Sequence, residues 1–434
     1  MEEVVARLNE AFANVARNQG AAGPDRQSID EVARHLHDVL PKLAVELAKG
    51  TYLPGDLRRV WIPKSGGGER GLNIPNVIDR VVQEAVRQVL EPMYEPTFHA
   101  SSHGFRPNRS CHTAIAEAKQ HLEDGYEIVV DLDLEKFFDR VHHQRLMARL
   151  AERVTDRRLL VLIGQMLKAK VVMPDGLRVT TEEGLPQGGP LSPLLSNIVL
   201  DELDRELEER GHRFVRYADD ANIFVRTVRA GERVMASVTS FLERRMRLRV
   251  NTSKSAVARP EERHFLGFSL RRSALDGEIE VGLSKRSKER IGAKIRELTP
   301  RNWGNTLRAC ILQVNGYLTG WISFFGICTT WVETTLQSLD GHIRRRMRAL
   351  ILKQWKRKRT IVRKLIQRGV RPQKAWHTVY ADHKSTWALS RTYAVNRGLS
   401  NAFLAQSGLN SLANMWAIRQ RNLVAPVQLG LALG

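Results

Sequence analysis

Cysteine is nearly absent from this chain of 434 residues: Cys111, Cys310 and Cys328 are the only three, and no two form a Cys-x-x-Cys pair. An odd, scattered set argues against a disulfide framework and a cysteine-built zinc site, and fits a reducing compartment. Acidic residues are short as well, 47 Asp+Glu against 68 Lys+Arg. A long apolar run is missing. Residues 309–332 carry no charged side chain, yet Gln313, Asn315, Gly316, Thr319, Gly320 and Ser323 interrupt them. That stretch reads as buried helical packing, not as the roughly 20-residue apolar segment that spans a bilayer. The opening Met-Glu-Glu has no signal-peptide character. No Gly-Lys-Ser/Thr follows a glycine-rich loop, which excludes a Walker-type phosphate cradle.

What is present is positive charge. A formal net charge of +21 and a pI near 10.3 set up a field that favours a polyanion. Neutralising phosphates releases counterions, so nucleic acid is the expected partner and an anionic membrane surface the competing one. Apolar content of 42% and charged content of 26% are those of a globular chain, and the length suits two to four domains. The charge is uneven: residues 341–374 hold 14 Lys+Arg and no Asp or Glu. Trp61 is the only tryptophan before residue 300, whereas Trp303, Trp321, Trp331, Trp355, Trp376, Trp387 and Trp416 follow it. A domain boundary is therefore expected near 275–300.

Apolar residues at helical spacing (Val4, Val5, Leu8, Phe12, Val15) predict a helix over 2–19. Ser28 followed by Glu31 is a capping-box pattern for a helix ending before Pro41, and a second short helix should end at Gly50. An extended segment runs through Val60-Trp61-Ile62, and 64–70 is a glycine-rich loop with a cation at each end. Helices are expected at 76–93, after a buried strand at 127–133 as far as about 153, at 191–209 and at 230–248. Residues 213–217 and 221–225 read as strands joined by a tight Ala-Asp-Asp turn, and 264–268 as a short strand.

Asp219 and Asp220 share the tip of that strand–turn–strand, where like charges repel and nothing structural is gained. Asp131 and Asp133 end the other strand on one face. A lone Asp-Asp is usually only a turn. Carboxylates on two strand ends, however, are the hard oxygen ligands that octahedral Mg²⁺ accepts. Two such ions about 3.5–4 Å apart activate a hydroxyl and stabilise a leaving oxygen in phosphoryl transfer.

Three segments carry a family resemblance. Tyr217-Ala218-Asp219-Asp220 resembles the signature of reverse transcriptases. Val130-Asp131-Leu132-Asp133-Leu134-Glu135-Lys136-Phe137-Phe138-Asp139 resembles their first catalytic motif, and residues 184–197, with Gln187 and Gly188, the block between. Their order and spacing are similar to those of group II intron-encoded reverse transcriptases and maturases, over nearly the whole chain. The resemblance implies an α+β right-hand polymerase, fingers and palm with an antiparallel sheet, followed by an α-helical thumb or maturase domain. Its divisions would be an N-terminal helical extension at 1–50, fingers and palm at 51–275, thumb at 276–350 and a basic extension at 351–434.

The same resemblance implies two Mg²⁺ ions, with Mn²⁺ as a substitute, on Asp133, Asp219, Asp220 and the backbone carbonyl of Leu134. Asp131 competes with Asp133. In such polymerases the aromatic that excludes a ribose 2′-OH lies five residues past the ligand; Phe138 stands five past Asp133, whereas Lys136 stands five past Asp131. Asp133 is therefore the expected ligand, Asp131 a structural neighbour, and Phe138 the sugar gate, although plain core packing is its simpler role. Lys254 resembles a lysine proposed to protonate pyrophosphate, with a surface lysine as the alternative. Lys64 and Arg70 would close on the incoming triphosphate unless they only flank a solvated hairpin tip. Gln187 and Gly188 would lie where backbone approaches the nascent base pair. Arg106 matches a block that is either template-facing or a turn.

Asn315-Gly316-Tyr317-Leu318-Thr319-Gly320-Trp321 resembles the maturase domain. Beyond it, Arg344, Arg345, Arg346, Arg348, Lys353, Lys356, Arg357, Lys358, Arg359, Arg363 and Lys364 are expected to bind an RNA or DNA backbone rather than merely solvate a helix face. Longer family members end in a DNA-binding segment and an endonuclease with His and paired cysteines. The scattered cysteines here resemble the bacterial, endonuclease-lacking type, which does not nick the second strand itself.

The expected function is RNA-directed DNA synthesis from dNTPs and a DNA primer. The same chain would bind group II intron RNA as a ribonucleoprotein, promote splicing and support mobility by target-primed reverse transcription. It would act in the bacterial cytoplasm, associated with the nucleoid when on DNA, and away from membranes; protein partners are not legible. One rival is an intron-free polymerase of this type in phage defence or DNA repair. The other is a non-enzymatic splicing chaperone, against which the intact acidic residues argue.

Overall fold

The computed structural model describes residues 1–63, 68–180, 182–300, 304, 306–329, 332–381 and 384–424. The chain divides into two compact units, Met1–Arg263 and His264–Gly434. Ten strands are described: β1 (Leu57–Pro63), β2 (Glu69–Ile74), β3 (Ile128–Leu132), β4 (Val171–Val172), β5 (Arg178–Val179), β6 (Arg213–Tyr217), β7 (Asp220–Val225), β8 (Ala256–Ala258), β9 (Phe268–Arg272) and β10 (Ile279–Leu283).

The N-terminal unit carries two sheets. One has the order β2-β1-β4-β5, with β1 antiparallel to β2 and parallel to β4. The other is antiparallel throughout, in the order β6-β7-β3-β8. Its central strands are apolar on both faces: Ile128, Val129, Val130 and Leu132 of β3 and Ala221, Ile223, Phe224 and Val225 of β7 are all buried. Such strands must be covered on both sides. Helices supply the cover, among them Cys111–Glu123, Ser192–Glu209 and Val228–Phe241. The helix Val77–Tyr94 is the most deeply embedded, with Val81, Val82, Ala85 and Val86 wholly buried.

Several elements depart from expectation. The capping box at Ser28 and Glu31 forms, but the break comes at His35, and Pro41 lies inside the helix Leu36–Lys49. Pro41 is exposed, so the carbonyl it leaves without a donor can be hydrated, while Leu40, Leu43 and Leu47 bury the opposite face. That helix ends at Gly50 in a left-handed cap, φ +71°. The helical run after β3 is two pieces, Phe137–Arg140 and His143–Ala151. The helix over 230–248 widens into a π-helical turn at Leu242–Met246 and stops at Arg247, φ +57°.

Residues 265–268 form a turn, not a strand: Phe265 and Phe268 exchange backbone hydrogen bonds at 3.0 and 2.9 Å around Leu266 and Gly267, both at positive φ. That turn opens the β9–β10 hairpin of the C-terminal unit, where Phe268 stacks on Phe324 with ring centroids 5.5 Å apart. This packing places the division between the units ahead of the 275/276 boundary. The other elements described in that unit are helices; its helix Leu307–Phe325 buries Cys310, Val314 and Leu318. Among the described residues no helix is long and apolar enough to cross a membrane.

Candidate active site

The β6–β7 hairpin has a two-residue turn. Tyr217 pairs with Asp220, so Asp220 already belongs to β7, and Ala218-Asp219 makes the reversal with Ala218 at φ +56°. In the neighbouring ladder Leu132 pairs with Ala221. Extending that antiparallel register by one residue sets Asp133 opposite Asp220. Asp133 and the adjacent pair Asp219 and Asp220, 86 and 87 positions further along the sequence, thus come together at one end of the sheet because β3 and β7 are adjacent.

Their electrostatics reflect the crowding. Burial raises the Asp219 carboxyl, Asp133 adds to this, and Arg70 and Lys254 oppose it. Surrounding protein, then the charges of Asp219, Asp133 and Asp131, push Asp220 up to about 7, although its side chain reaches solvent. The Lys254 ammonium lies 3.3 and 3.2 Å from the two oxygens of Asp133. The Asp133 N–H donates to Ser255 Oγ at 3.0 Å. The Asp133 carbonyl accepts from Asn251 N–H, and Glu135 N–H donates to the Arg249 carbonyl, both at 2.8 Å; the Leu134 carbonyl is left outside that ladder. Asp131 is held by Arg263, Nε at 2.8 Å and Nη2 at 2.6 Å. The same guanidinium donates to the carbonyl of Lys254.

Among the described residues no three His, Cys, Asp or Glu side chains already converge on one metal-sized point; Lys254 supplies the counter-charge at Asp133. The donor set nevertheless suits a divalent cation. Hard carboxylate oxygens on adjoining strand ends repel one another, and a bound cation relieves that repulsion.

A cavity of about 850 Å³ opens beside these residues. Arg59, Trp61, Arg70 and Asn73 of the β1–β2 hairpin line one side; Asp133, Leu134, Phe138, Gln187, Asp219 and Lys254 line others. Arg70 Nε donates to Gln187 Oε1 at 2.8 Å, joining the hairpin to the 184–197 segment. Phe138 is buried, edge-to-face with Phe137 at 5.3 Å, yet still reaches the cavity wall. Gly188 is not part of that wall. It sits at φ +127°, and a Cβ there would lie 2.8 Å from the Asn73 carbonyl oxygen, so the close approach is to protein backbone. Lys64 lies outside the described residues.

Arg106 does not face a template. Its side chain is 6% exposed. Nε and Nη2 bond Glu95, and Nη1 donates to the carbonyls of His99 and Ser102 at 2.6 and 2.8 Å. All five donors are spent locally, so Arg106 is a turn clamp.

The cationic stretch is similarly mixed. Arg348 is buried and donates to the Leu399 carbonyl and to Asn401 Oδ1, each at 2.8 Å, so it packs helices instead of meeting a polyanion. Arg346 donates to the Thr299 carbonyl at 2.7 Å and to that of Arg296, closing the end of the helix Lys285–Leu298. Arg345 lies 3.7 Å from the centre of the Trp387 ring. Lys353, Lys356, Arg357, Arg359 and Arg363 are exposed; Arg344, Lys358 and Lys364 are partly so.

One buried group escaped the sequence reading. Arg216, 1% exposed, forks onto Asp204, 0% exposed, with Nε–Oδ1 at 2.7 Å and Nη2–Oδ2 at 2.5 Å. It also donates to Asn197 Oδ1, Ser102 Oγ and the Ala218 carbonyl. The available signal was an arginine inside an apolar strand and an aspartate on the buried stripe of a helix.

Comparison with known proteins accords with this geometry. Residues 62–270 match the reverse transcriptase (RNA-dependent DNA polymerase) family model, and residues 288–368 the group II intron maturase-specific domain. Protein YkfC of Escherichia coli K12 is 33% identical over 348 residues, 71% of this chain and 89% of that protein. The putative COX1/OXI3 intron 2 protein of Saccharomyces cerevisiae is 36% identical over 171 residues, 39% of this chain and 20% of that protein. The group II intron-encoded protein LtrA of Lactococcus lactis is 38% identical over 208 residues, 48% of this chain and 34% of that protein. The chain thus spans most of YkfC but only 20% and 34% of the two named intron proteins. Taken with the acidic strand ends and their cavity, these matches show that the chain belongs to the group II intron-type reverse transcriptases, RNA-directed DNA polymerases that carry a maturase domain.

Proposed function

We propose that Asp133, Asp219, Asp220 and the Leu134 carbonyl hold two Mg²⁺ ions, for which Mn²⁺ can substitute, and that the adjoining cavity seats a primer 3′-OH and a dNTP. Such ions, when bound, supply Lewis acidity toward hydroxyl and phosphate oxygens. The side chains of the cavity do the rest. Arg70 offers its guanidinium to the triphosphate, with Gln187 orienting it through their shared hydrogen bond. Phe138 lies under the sugar and leaves no room for a 2′-OH. Lys254 gives a proton to the departing pyrophosphate. The β1–β2 hairpin serves as fingers and the β6-β7-β3-β8 sheet as palm; the C-terminal unit serves as thumb and maturase surface. Through its exposed cations the chain holds group II intron RNA, aids splicing and copies the RNA onto a primed DNA target.

The observation that carries the reading is the register that sets Asp133 opposite Asp220 beside the 850 Å³ cavity. The test is primer extension by the full chain on an RNA template, with Mg²⁺ and dNTPs, for the parent and Asp219→Asn. Loss of a metal ligand should remove several kcal/mol of transition-state stabilisation, on the order of a thousand-fold in rate. Binding and splicing of intron RNA by the same variant should persist. Extension unchanged by Asp219→Asn rejects the metal assignment.

A further inference from the structure

Exposed stacked aromatics are unusual on a protein surface, because burying such rings is worth more than hydrating them. The helix Pro372–Tyr380 carries one such pair. Trp376 and Tyr380, one turn apart, stack with ring centroids 5.0 Å apart and planes 24° from parallel, yet remain 47% and 41% exposed. Ala375 and Val379 of the same helix turn inward and are fully buried. The stacked pair is therefore not the helix's contribution to the core.

Positive charge borders the pair. Lys358 Nζ lies 5.3 Å from the centre of the Tyr380 ring. Lys358 belongs to the run Lys356-Arg357-Lys358-Arg359, in which 356, 357 and 359 are exposed. No acidic residue occurs from 341 to 374. A flat π surface next to four consecutive cations is complementary to a polymer that alternates flat bases with phosphates. A duplex would offer its phosphates but keep its bases stacked internally. A protein helix or a lipid surface would not need two parallel rings.

We propose that Trp376 and Tyr380 form a stacking platform for the unpaired bases of a single-stranded polynucleotide, whose phosphates lie along Lys356, Arg357, Lys358 and Arg359. The platform rests on the nucleic-acid reading above and sharpens it: the C-terminal unit distinguishes unpaired from paired strands, by stacking rather than by charge. A displaced DNA strand at the target and a looped segment of RNA share this chemistry.

The test is equilibrium binding of the full chain to three labelled probes of equal length: single-stranded DNA, single-stranded RNA and duplex DNA. Removing one stacking ring is expected to weaken single-strand binding about ten-fold. Trp376→Ala should do so while duplex binding stays within about two-fold, and Trp376→Phe should restore most of the loss. Arg357→Ala with Arg359→Ala should weaken both single-strand and duplex binding and flatten the salt dependence of each. The DNA and RNA probes show which strand the platform prefers. Unchanged single-strand binding by Trp376→Ala, or equal loss on single strand and duplex with an unaltered melting temperature, overturns the platform. Primer extension by Asp219→Asn, run in parallel, tests the polymerase reading separately, so either idea can fail alone.

Discussion

Arg216 donates a hydrogen bond to the carbonyl of Ala218 at 2.9 Å while its other donors are held by Asp204, Asn197 and Ser102. A buried ion pair thereby grips the turn that carries Asp219. The turn needs a grip, because Ala218 adopts a positive φ that side chains other than glycine rarely take. Replacing Arg216 by Met alone strands a buried Asp204 charge and should cost about 3–5 kcal/mol of stability. Arg216→Met together with Asp204→Leu should recover most of that stability, since an apolar pair of similar volume replaces the ions. The double variant should still need more Mg²⁺ for half-maximal primer extension, because the Ala218 carbonyl has lost its donor. Urea unfolding and a Mg²⁺ titration separate the two effects; a double variant with the parent's Mg²⁺ requirement would show the grip to be structural only.

Gly104 packs against the same turn. A Cβ on it would fall 2.2 Å from the Ala218 nitrogen, in backbone that cannot move aside as a side chain would. Gly104→Ala should cost about 1–3 kcal/mol as an overpacking change and lower extension beyond what the stability loss explains. Single-turnover extension well below the melting temperature is the measurement, and a rate equal to the parent's would rule the contact out as a constraint on the turn.

Asp131 and Asp133 should separate cleanly. Asp131 is held by Arg263, and Asp133, one residue past the end of the β3–β7 ladder, is paired with Lys254 and acts electrostatically on Asp220. Asp133→Asn should match the loss seen for Asp219→Asn, whereas Asp131→Asn should lower extension by less than about ten-fold, as a displaced hydrogen bond does. Lys254→Ala should fall between them, about a hundred-fold in kcat with little change in the KM for dNTP, the pattern of a lost general acid. If Asp131→Asn proves as damaging as Asp133→Asn, the order of the two aspartates is reversed.

Glu117 gives the fold an acid-side limit. Burial would raise its carboxyl, but hydrogen bonds involving His103, with Nε2 at 2.7 Å, His121 and Ser101 prevail and hold it down at about 2. A carboxyl lower in the folded than in the unfolded state contributes stability above the ordinary Glu value of about 4.3. That contribution is lost as pH falls from there toward 2. Melting temperature should therefore drop more steeply over this window for the parent than for Glu117→Gln. Parallel curves would remove Glu117 as the cause.

Local order was legible wherever a pattern repeats within a few residues. The apolar runs of β3 and β7, the Ser28–Glu31 capping box and the Gly50 cap could be read from spacing alone. Pro41 was misjudged because the cost of proline in a helix depends on whether the freed carbonyl meets water, which only burial reveals. The turn at 265–268 was missed because four apolar or small residues in a row look extended until their partners are known. Arg348 was misread, and Arg106 left open between two roles, for one reason: a guanidinium reads as a phosphate ligand until its five donors are accounted for.

The amino-acid order alone therefore settled the family, the strand–turn–strand bearing Asp219 and Asp220, and the excess of positive charge, because each is written in contiguous residues. Tertiary structure alone decided which aspartates face one another, which arginines are spent inside the protein, and that Arg216 and Asp204 hold the acidic turn. Arg216 meets Asp204 across 12 positions and Arg348 meets Leu399 across 51, and strand register and burial, not sequence neighbours, set which charges meet.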